Sequence, residues 1–236
     1  MKLFYSLLLA SLVFFTSISL SYGEEGTVEP SAKLVIGTMQ EVDTTHPTFK
    51  IIEAAYAKIG YRISLSPMPY ARSFYESNRG ELLDGELART EDISLKAPDM
   101  IRIPVAIDKI AATVFTNDPT FRPRRWEDMR GKRIDVLEGT DIITGRLGDI
   151  PSTSVTTLEQ SYLRLQSGRT DAMIIPGEIG QHVLDQMNLT GIYRVKPDLE
   201  TWLVYHYIHR RHQALVEPLT TALIQVMGHH SVDVVE

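Results

Sequence analysis

The stretch Arg133-Ile134-Asp135-Val136-Leu137-Glu138-Gly139-Thr140 is the most informative part of the sequence for the fold. Its first half has the apolar pattern of a short strand, and the Gly-Thr pair marks the turn at which that strand passes into a helix. An earlier stretch, Leu34-Val35-Ile36-Gly37-Thr38, has the same design. A pattern that occurs twice in one chain indicates two similar structural units.

The first unit contains two predicted helices. Apolar residues spaced three and four apart predict a helix at 47–59, with Asp43, Thr44 and Thr45 as its candidate caps. A second helix is predicted at 70–79, because it is followed by a glycine that favours a helix end.

Two further strands are predicted in the same unit. Residues 61–65 alternate between apolar and polar, and Pro67 and Pro69 should end that strand. An apolar run at 82–87 contains Asp84 and predicts the next strand.

The second unit repeats this order of elements. Beyond its Gly-Thr pair we predict a helix at 141–147, a strand at 154–156 and a helix that ends at Gln166. Thr157 and Gln160 have the spacing of a capping box for that helix. A final strand at 170–175 contains Asp171, as the corresponding strand of the first unit contains Asp84.

Alternating strands and helices predict parallel sheets with right-handed crossovers. The expected fold class is therefore α/β, with two Rossmann-like lobes joined by a two-strand hinge. The strand-like runs 110–116 and 202–208 would form the hinge, and a helix near 217–227 would return to the first lobe. The predicted boundaries are 33–109 plus 209–236 for lobe 1 and 110–208 for lobe 2.

Composition excludes several classes of protein. The chain has 236 residues, a formal net charge of −6 and no cysteine. Without cysteine there are no disulfides, thiolate metal sites, iron–sulfur clusters or cysteine nucleophiles. The acidic balance argues against nucleic-acid binding, which needs clustered Lys and Arg. The glycine patterns of nucleotide and dinucleotide sites are absent, and no cofactor is expected.

The first residues of the chain read as a targeting segment. Residues 1–23 combine Lys2, an apolar run too short to span a membrane and a small-polar end, as in a cleavable signal peptide. Residues 24–32 are polar and are expected to be a flexible leader. We therefore expect export to the periplasm, without a lipid-modified cysteine.

Two segments of the second unit carry a resemblance to a known family. They are WEDMRGKRIDVLEGT (126–140) and QSGRTDA (166–172), and both are similar to periplasmic solute-binding proteins of the type II, amino-acid-type class. In the first unit, 71–73 and 80–89 resemble a small, poorly characterised subgroup of that family. The resemblance extends over nearly all of 33–228.

The resemblance implies a binding protein rather than an enzyme. It implies that a small polar solute, carboxylate-bearing and amino-acid-like, binds between two lobes that close on it. The protein would pass this solute to an ABC-type permease, and it is expected to be a monomer. Two alternatives stay open. One is a sensing module for a membrane receptor, and the other is a periplasmic dehydratase with Glu86 or Glu178 as its acid.

The candidate ligand-binding residues come from strand ends and helix starts. Gly139 and Thr140 suit an anion if the helix N–H groups are free, although the same pair is also an ordinary strand–helix turn with a cap. The resemblance implies that Asp171 accepts a ligand ammonium group, whereas a turn aspartate would bind its own backbone. The guanidinium group of Arg89 can bind a carboxylate through two parallel hydrogen bonds. It would replace the family's Ser/Thr-x-x-Arg motif, which is missing here. The alternative for Arg89 is a surface ion pair.

Three weaker candidates complete the set. Arg72 begins a helix that the resemblance places at the cleft, and Tyr70 could stack on a ligand or belong to the core. Strand alternation places Glu86 on the same face as Asp84. His206, His209 and His212 recur every three residues but lack the spacing of a zinc motif, so no metal is expected.

Overall fold

The computed structural model describes residues 33–228. The predicted signal peptide (1–23) and leader (24–32) lie outside this range, as do residues 229–236. The described strands are β1 (Lys33–Met39), β2 (Arg62–Met68), β3 (Gly85–Thr90), β4 (Met100–Thr116), β5 (Ile134–Leu137), β6 (Ser152–Val155), β7 (Ala172–Pro176), β8 (Tyr193–Arg194) and β9 (Glu200–His209). The α-helices are α1 (Pro47–Lys58), α2 (Tyr70–Arg79), α3 (Asp141–Leu147), α4 (Leu158–Gln166), α5 (Gly177–Met187) and α6 (Val216–Gly228). None of these helices is long and apolar enough to cross a membrane.

The strands form one sheet with two parallel ends and an antiparallel centre. Its order is β2-β1-β3-β9-β4-β7-β5-β6, and β8 pairs with β4. In the first lobe β1 is parallel to β2 and β3, and in the second lobe β5 is parallel to β6 and β7. The long strands β4 and β9 pair antiparallel between the two lobes. The repeated order of elements predicted from the sequence is confirmed.

Two strands are longer than their prolines suggest. β4 begins at Met100 rather than near Ile110, and its pairing with β9 shifts register between Arg102 and Ala106, around Pro104. Proline is tolerated at such bulges, because the ladder is already interrupted there. β2 continues through Pro67 to Met68, so the prediction that Pro67 ends it is wrong. β2 is an edge strand, where a missing N–H costs little.

The helices differ from the sequence prediction in two respects, which are the cap of α1 and the presence of α5. His46, not Asp43, Thr44 or Thr45, caps α1, and its Nδ1 accepts the Thr48 N–H at 3.3 Å. Helix α5 was not predicted, because two glycines stand on its buried face where apolar residues would have revealed it. At one of them, Gly180, a Cβ would lie 2.4 Å from Ile175 Cδ1 and 3.0 Å from Phe115 Cε2, so a larger residue would have to displace these side chains.

The largest hydrophobic cluster runs through both lobes. It joins Phe49 and Ile52 of α1 to Phe115 of β4, Tyr162 of α4 and Ile175 of β7. Helix α6 packs on α1 and β4, so the chain returns to the first lobe as predicted. Because apolar contacts continue from one lobe to the other, the lobes are packed together in this conformation.

Both tryptophans of the chain meet at one carboxylate. The Trp126 and Trp202 Nε1–H groups each donate to Glu200 at 3.1 Å, and their rings are 6.3 Å apart. Arg146 of α3 also donates to Glu200. This cluster lies beside a second hydrophobic cluster that contains β5 and α3.

Candidate functional site

A cavity of about 340 Å³ lies between the lobes. The carboxyl ends of β1, β5 and β7 contribute Thr38, Leu137 and Pro176, and the long strands β4 and β9 close one side. Ligands of open α/β sheets bind at such strand ends. The volume is suited to a small solute.

The cavity has apolar walls with a few polar groups. Its large apolar side chains are Met39, Val42, Tyr70, Leu87, Ile110, Leu137, Ile179 and Val204. The ionisable side chains on its lining are His46, Glu86, Asp108, Lys109, Glu178 and Asp198. Thr38 and Thr140, the threonines of the two repeated Gly-Thr pairs, both line it, one from each lobe.

The structure brings three of the seven predicted site residues to the cavity. Tyr70, Glu86 and Thr140 line it. Arg89 lies behind this surface, and Gly139 lies where the lobes touch. Arg72 points outward from α2 with 64% of its side chain exposed, 3.8 Å from Glu76.

Glu86 and Arg89 form a buried ion pair beside the cavity. Arg89 Nε lies 3.0 Å from Glu86 Oε2, and Arg89 Nη2 donates to the Tyr70 carbonyl at 2.6 Å. The guanidinium also lies 3.5 Å from the centre of the Tyr70 ring. Burial would lower the pKa of Arg89, but the Glu86 carboxylate outweighs it and raises the pKa, so the group stays charged. Arg89 therefore holds Tyr70 in place, with its Nε and Nη2 bonded to protein acceptors, and it is not part of the cavity lining.

Helix α2 supplies the remaining partners of Glu86. Its Oε1 accepts the hydroxyls of Ser73 at 2.5 Å and Ser77 at 2.9 Å. Gly37 makes this approach possible, because a Cβ there would lie 2.5 Å from Ser73 Oγ. The carboxylate thus has partners on both oxygens, which offsets the cost of burying its charge.

In the Gly139-Thr140 turn, the donor groups of Thr140 are bonded to the preceding strand. The Thr140 N–H and hydroxyl both donate to the Leu137 carbonyl, at 3.1 and 2.5 Å. Thr140 therefore has no free donor for an anion. Gly139 has a φ of +86°, and a Cβ there would lie 3.0 Å from Ala71 Cα in the other lobe.

Asp171 lies at the opposite end of its strand from the cavity. Its carboxylate accepts the Arg133 N–H at 2.8 Å and the Arg133 Nη2 at 2.6 Å, and hydrogen bonds from Arg133 lower the pKa of Asp171. Asp84 holds the equivalent place, where it accepts the Val35 N–H at 2.7 Å. Each aspartate thus binds a backbone N–H in the first strand of its own lobe (Val35) or directly before it (Arg133). This is the backbone-binding alternative considered for Asp171, and it leaves Asp171 outside the cavity lining.

Four ionisable lining residues lay outside the sequence prediction. His46 and Asp198 come from loops, and Asp108 and Lys109 from the part of β4 that was not recognised as strand. Burial lowers the pKa of His46, and the carboxylates of Asp108 and Asp43 partly oppose this shift. Burial would raise the pKa of Asp198, but hydrogen bonds from Lys196 and Thr113 outweigh it and lower the pKa. If the sequence pattern had shown that β4 begins before Asp108, it would have indicated that Asp108 and Lys109 belong to a strand at the cavity.

The three spaced histidines have separate roles. His206 is buried and its Nε2 lies 2.9 Å from the Tyr56 hydroxyl. His209 caps the turn that begins at Arg210, and His212 binds Asp84 at 2.6 Å. Over residues 33–228, no group of three or more His, Asp or Glu side chains is placed to hold a metal ion.

An ion pair also connects the lobes at the surface. Lys96, which follows β3, lies 2.9 Å from Asp141 at the start of α3. Together with the Gly139–Ala71 contact and the shared hydrophobic cluster, it defines a closed arrangement of the two lobes.

No protein-family model matches the chain. An uncharacterized protein of Shewanella oneidensis is 25% identical over 177 residues, which cover 72% of this chain and 66% of that protein.

Solved structures at low identity have the same fold. An ancestral arginine-binding protein bound to glutamine has a TM-score of 0.68 at 16% identity, over 84% of this chain and 92% of that one. An amino acid ABC transporter substrate-binding protein of Streptococcus pneumoniae, bound to L-arginine, has a TM-score of 0.68 at 13% identity, over 86% and 92%. A histidine kinase sensor domain similar to periplasmic binding proteins has a TM-score of 0.70 at 13% identity, over 84% and 92%. The two α/β lobes and their pair of crossing strands give this chain the fold of the type II periplasmic binding proteins.

Proposed function

We propose that this protein is a periplasmic solute-binding protein for a small, amino-acid-like solute. The observation that carries the proposal is the 340 Å³ cavity between lobes that share this fold with amino-acid-binding proteins. In this proposal lobe 1 comprises 33–109 with 209–236, and lobe 2 comprises 110–208. The lobes close around the solute, and closure buries it against residues of both.

The start of α5 supports a carboxylate on the solute. Gly177, Glu178 and Ile179 line the cavity, and Pro176 at the N-cap makes no side-chain capping hydrogen bond. The first N–H groups of a helix and the positive end of its dipole favour an anion. Arg194 Nη2 lies beside this turn and is paired with the Glu178 carboxylate, so the support for an anion comes from the helix N–H groups and not from a free cation.

Transport is the role we favour for the bound form. An exported binding protein of this fold would deliver its solute to an ABC-type permease, and one protein of the same fold is an amino acid ABC transporter substrate-binding protein. A sensing role is the second candidate, because a histidine kinase sensor domain has the same fold. Pull-down from a membrane extract with and without solute would separate the two by the partner recovered.

Thermal-shift screening tests the binding proposal. The panel would contain the standard amino acids, polyamines and small organic acids, with mass spectrometry of any solute that remains after gentle purification. A solute at one hundred times its Kd should stabilise the protein by about 2.7 kcal/mol. If no member of the panel shifts the melting temperature and no solute is retained, the proposal fails.

A further inference from the structure

We propose that Asp108, on the crossing strand β4, is the counter-ion for an ammonium group of the solute. This inference rests on the proposed binding function and adds the identity of the group that selects an amine. The partner of the solute ammonium is then Asp108, which lies on the cavity lining, and not Asp171, which lies outside the cavity.

The charges around the cavity leave one carboxylate without a cation. Glu86 is paired with Arg89, Glu178 with Arg194 and Asp198 with Lys196. Among residues 33–228, no Lys, Arg or His nitrogen lies within 4.0 Å of the Asp108 carboxylate. A cation brought by the solute would complete this set of pairs.

The carboxylate is held in position by two neutral donors. The Thr48 hydroxyl donates to Asp108 Oδ2 at 3.0 Å, and the Lys109 N–H donates to Oδ1 at 2.8 Å. Thr48 is itself buried in the first turn of α1. Each carboxylate oxygen can accept a further hydrogen bond. Asp108 is solvent-exposed, so these acceptor positions are open, and an ammonium group of the solute would replace water there with a charge-assisted bond.

A bulge in β4 sets the direction of Asp108. Pairing with β9 shifts register between Ala106 and Asp108, and a bulge re-aims the side chains beside it. The neighbouring Lys109 also borders the cavity. Its backbone N–H donates to Asp108 Oδ1, whereas its ammonium nitrogen does not lie within 4.0 Å of that carboxylate.

Matched pairs of solutes test the need for the amine on the unaltered protein. Calorimetry would compare alanine with lactate, leucine with 2-hydroxyisocaproate, phenylalanine with phenyllactate and glutamate with 2-hydroxyglutarate. Each hydroxy acid keeps the shape and the carboxylate but lacks the charge of the amine. For any amino acid that binds, its hydroxy acid should bind at least about tenfold more weakly.

Asp108→Asn tests the residue, with Asp149→Asn as the matched control at an exposed aspartate outside the cavity lining. The first should lose at least about tenfold in affinity for the amino acid, and the second should stay within about threefold. Equal binding of an amino acid and its hydroxy acid would overturn the inference and leave the binding function intact, as would an unchanged affinity in a folded Asp108→Asn. If neither the amino acids nor the hydroxy acids bind the unaltered protein, the inference about Asp108 is wrong. The binding function itself is then tested by the thermal-shift screen with the wider panel of solutes.

Discussion

Glu86 and Arg89 are three residues apart on one strand, yet their side chains meet at 3.0 Å in the interior of the protein. In a regular strand, residues separated by three point to opposite faces of the sheet. The pairing of β3 with β9 shifts register between these two residues, so an extra residue turns both side chains to the same side. The bulge thus creates the ion pair that fixes Tyr70 at the cavity.

Removing Arg89 should be costly for stability. In Arg89→Ala the Glu86 carboxylate stays buried without its cation, and we expect a loss of about 3–5 kcal/mol in the free energy of unfolding. Replacing both residues by apolar ones should cost less than the single change. Urea unfolding would measure all variants. Lys50→Ala is the control, since it removes an exposed pair with Glu53 and should cost less than about 1 kcal/mol. A loss in Arg89→Ala as small as in this control would contradict the prediction.

The buried His206 should make the protein less stable in mild acid. Burial lowers the pKa of His206 to about 4, whereas the unfolded chain titrates near the ordinary value of 6.5. Between these values the unfolded state binds a proton that the folded state does not. The free energy of unfolding should therefore fall as the pH decreases from about 7 to 4, by about 3 kcal/mol from this group.

Unfolding measured across this pH range would check the effect of His206. His206→Gln keeps a hydrogen-bonding group beside the Tyr56 hydroxyl and cannot titrate, so its stability should depend less on pH. The same slope in both proteins would show that other groups control the acid response.

Gly139 should favour the close contact between the lobes. Gly139→Ala would place a Cβ 3.0 Å from the backbone of Ala71, a distance that requires the lobes to separate slightly. We expect the balance to shift toward a more open form, measured as a larger average radius of gyration in X-ray scattering. Gly131→Ala is a matched control. Gly131 also has a positive φ, of 76°, but nothing lies within 4 Å of the added Cβ. Both changes introduce backbone strain of about 1–2 kcal/mol, so a difference in shape between the two variants isolates the contact between the lobes.

Asp171 should contribute to stability and not to solute binding. Asp171→Ala removes the acceptor of the Arg133 N–H and of its guanidinium, and a loss of about 1–2 kcal/mol is expected. Affinity for any solute found by screening should change by less than about twofold, because a remote site acts independently. Asp84→Ala, at the equivalent place in the first lobe, should behave similarly. Thermal unfolding and calorimetry measure the two effects, and a large loss of affinity in Asp171→Ala would return this residue to the binding site.

The sequence predicted the repeated architecture because local signals agree with the fold. Gly139 and Thr140 directly follow β5 as predicted, whereas Gly37 and Thr38 continue β1 near its carboxyl end and do not form a turn. Asp84 and Asp171 stand at equivalent places. The helices at 70–79 and 141–147 have the predicted bounds. Apolar spacing, glycine stops and strand alternation are local properties, and a single sequence contains them.

The site was harder to predict, since its geometry depends on features with no local signal. The bulge in β3 brings Arg89 into the interior, where it binds Glu86 rather than a solute. The strand around Asp108 is concealed by Pro104 and by two register shifts. The role of Asp171 depends on which end of β7 faces the cavity, and this follows only from the assembled sheet.

The meeting of both tryptophans at Glu200 has a practical consequence. The next residue along β9, Thr201, lines the cavity, and Glu200 and Trp202 lie on the other face of the same strand. All tryptophan emission of the protein originates at this one place, since the chain has two tryptophans. The protein thus carries a built-in optical reporter beside its cavity, and movement of β9 relative to α3 can be followed by fluorescence without any label.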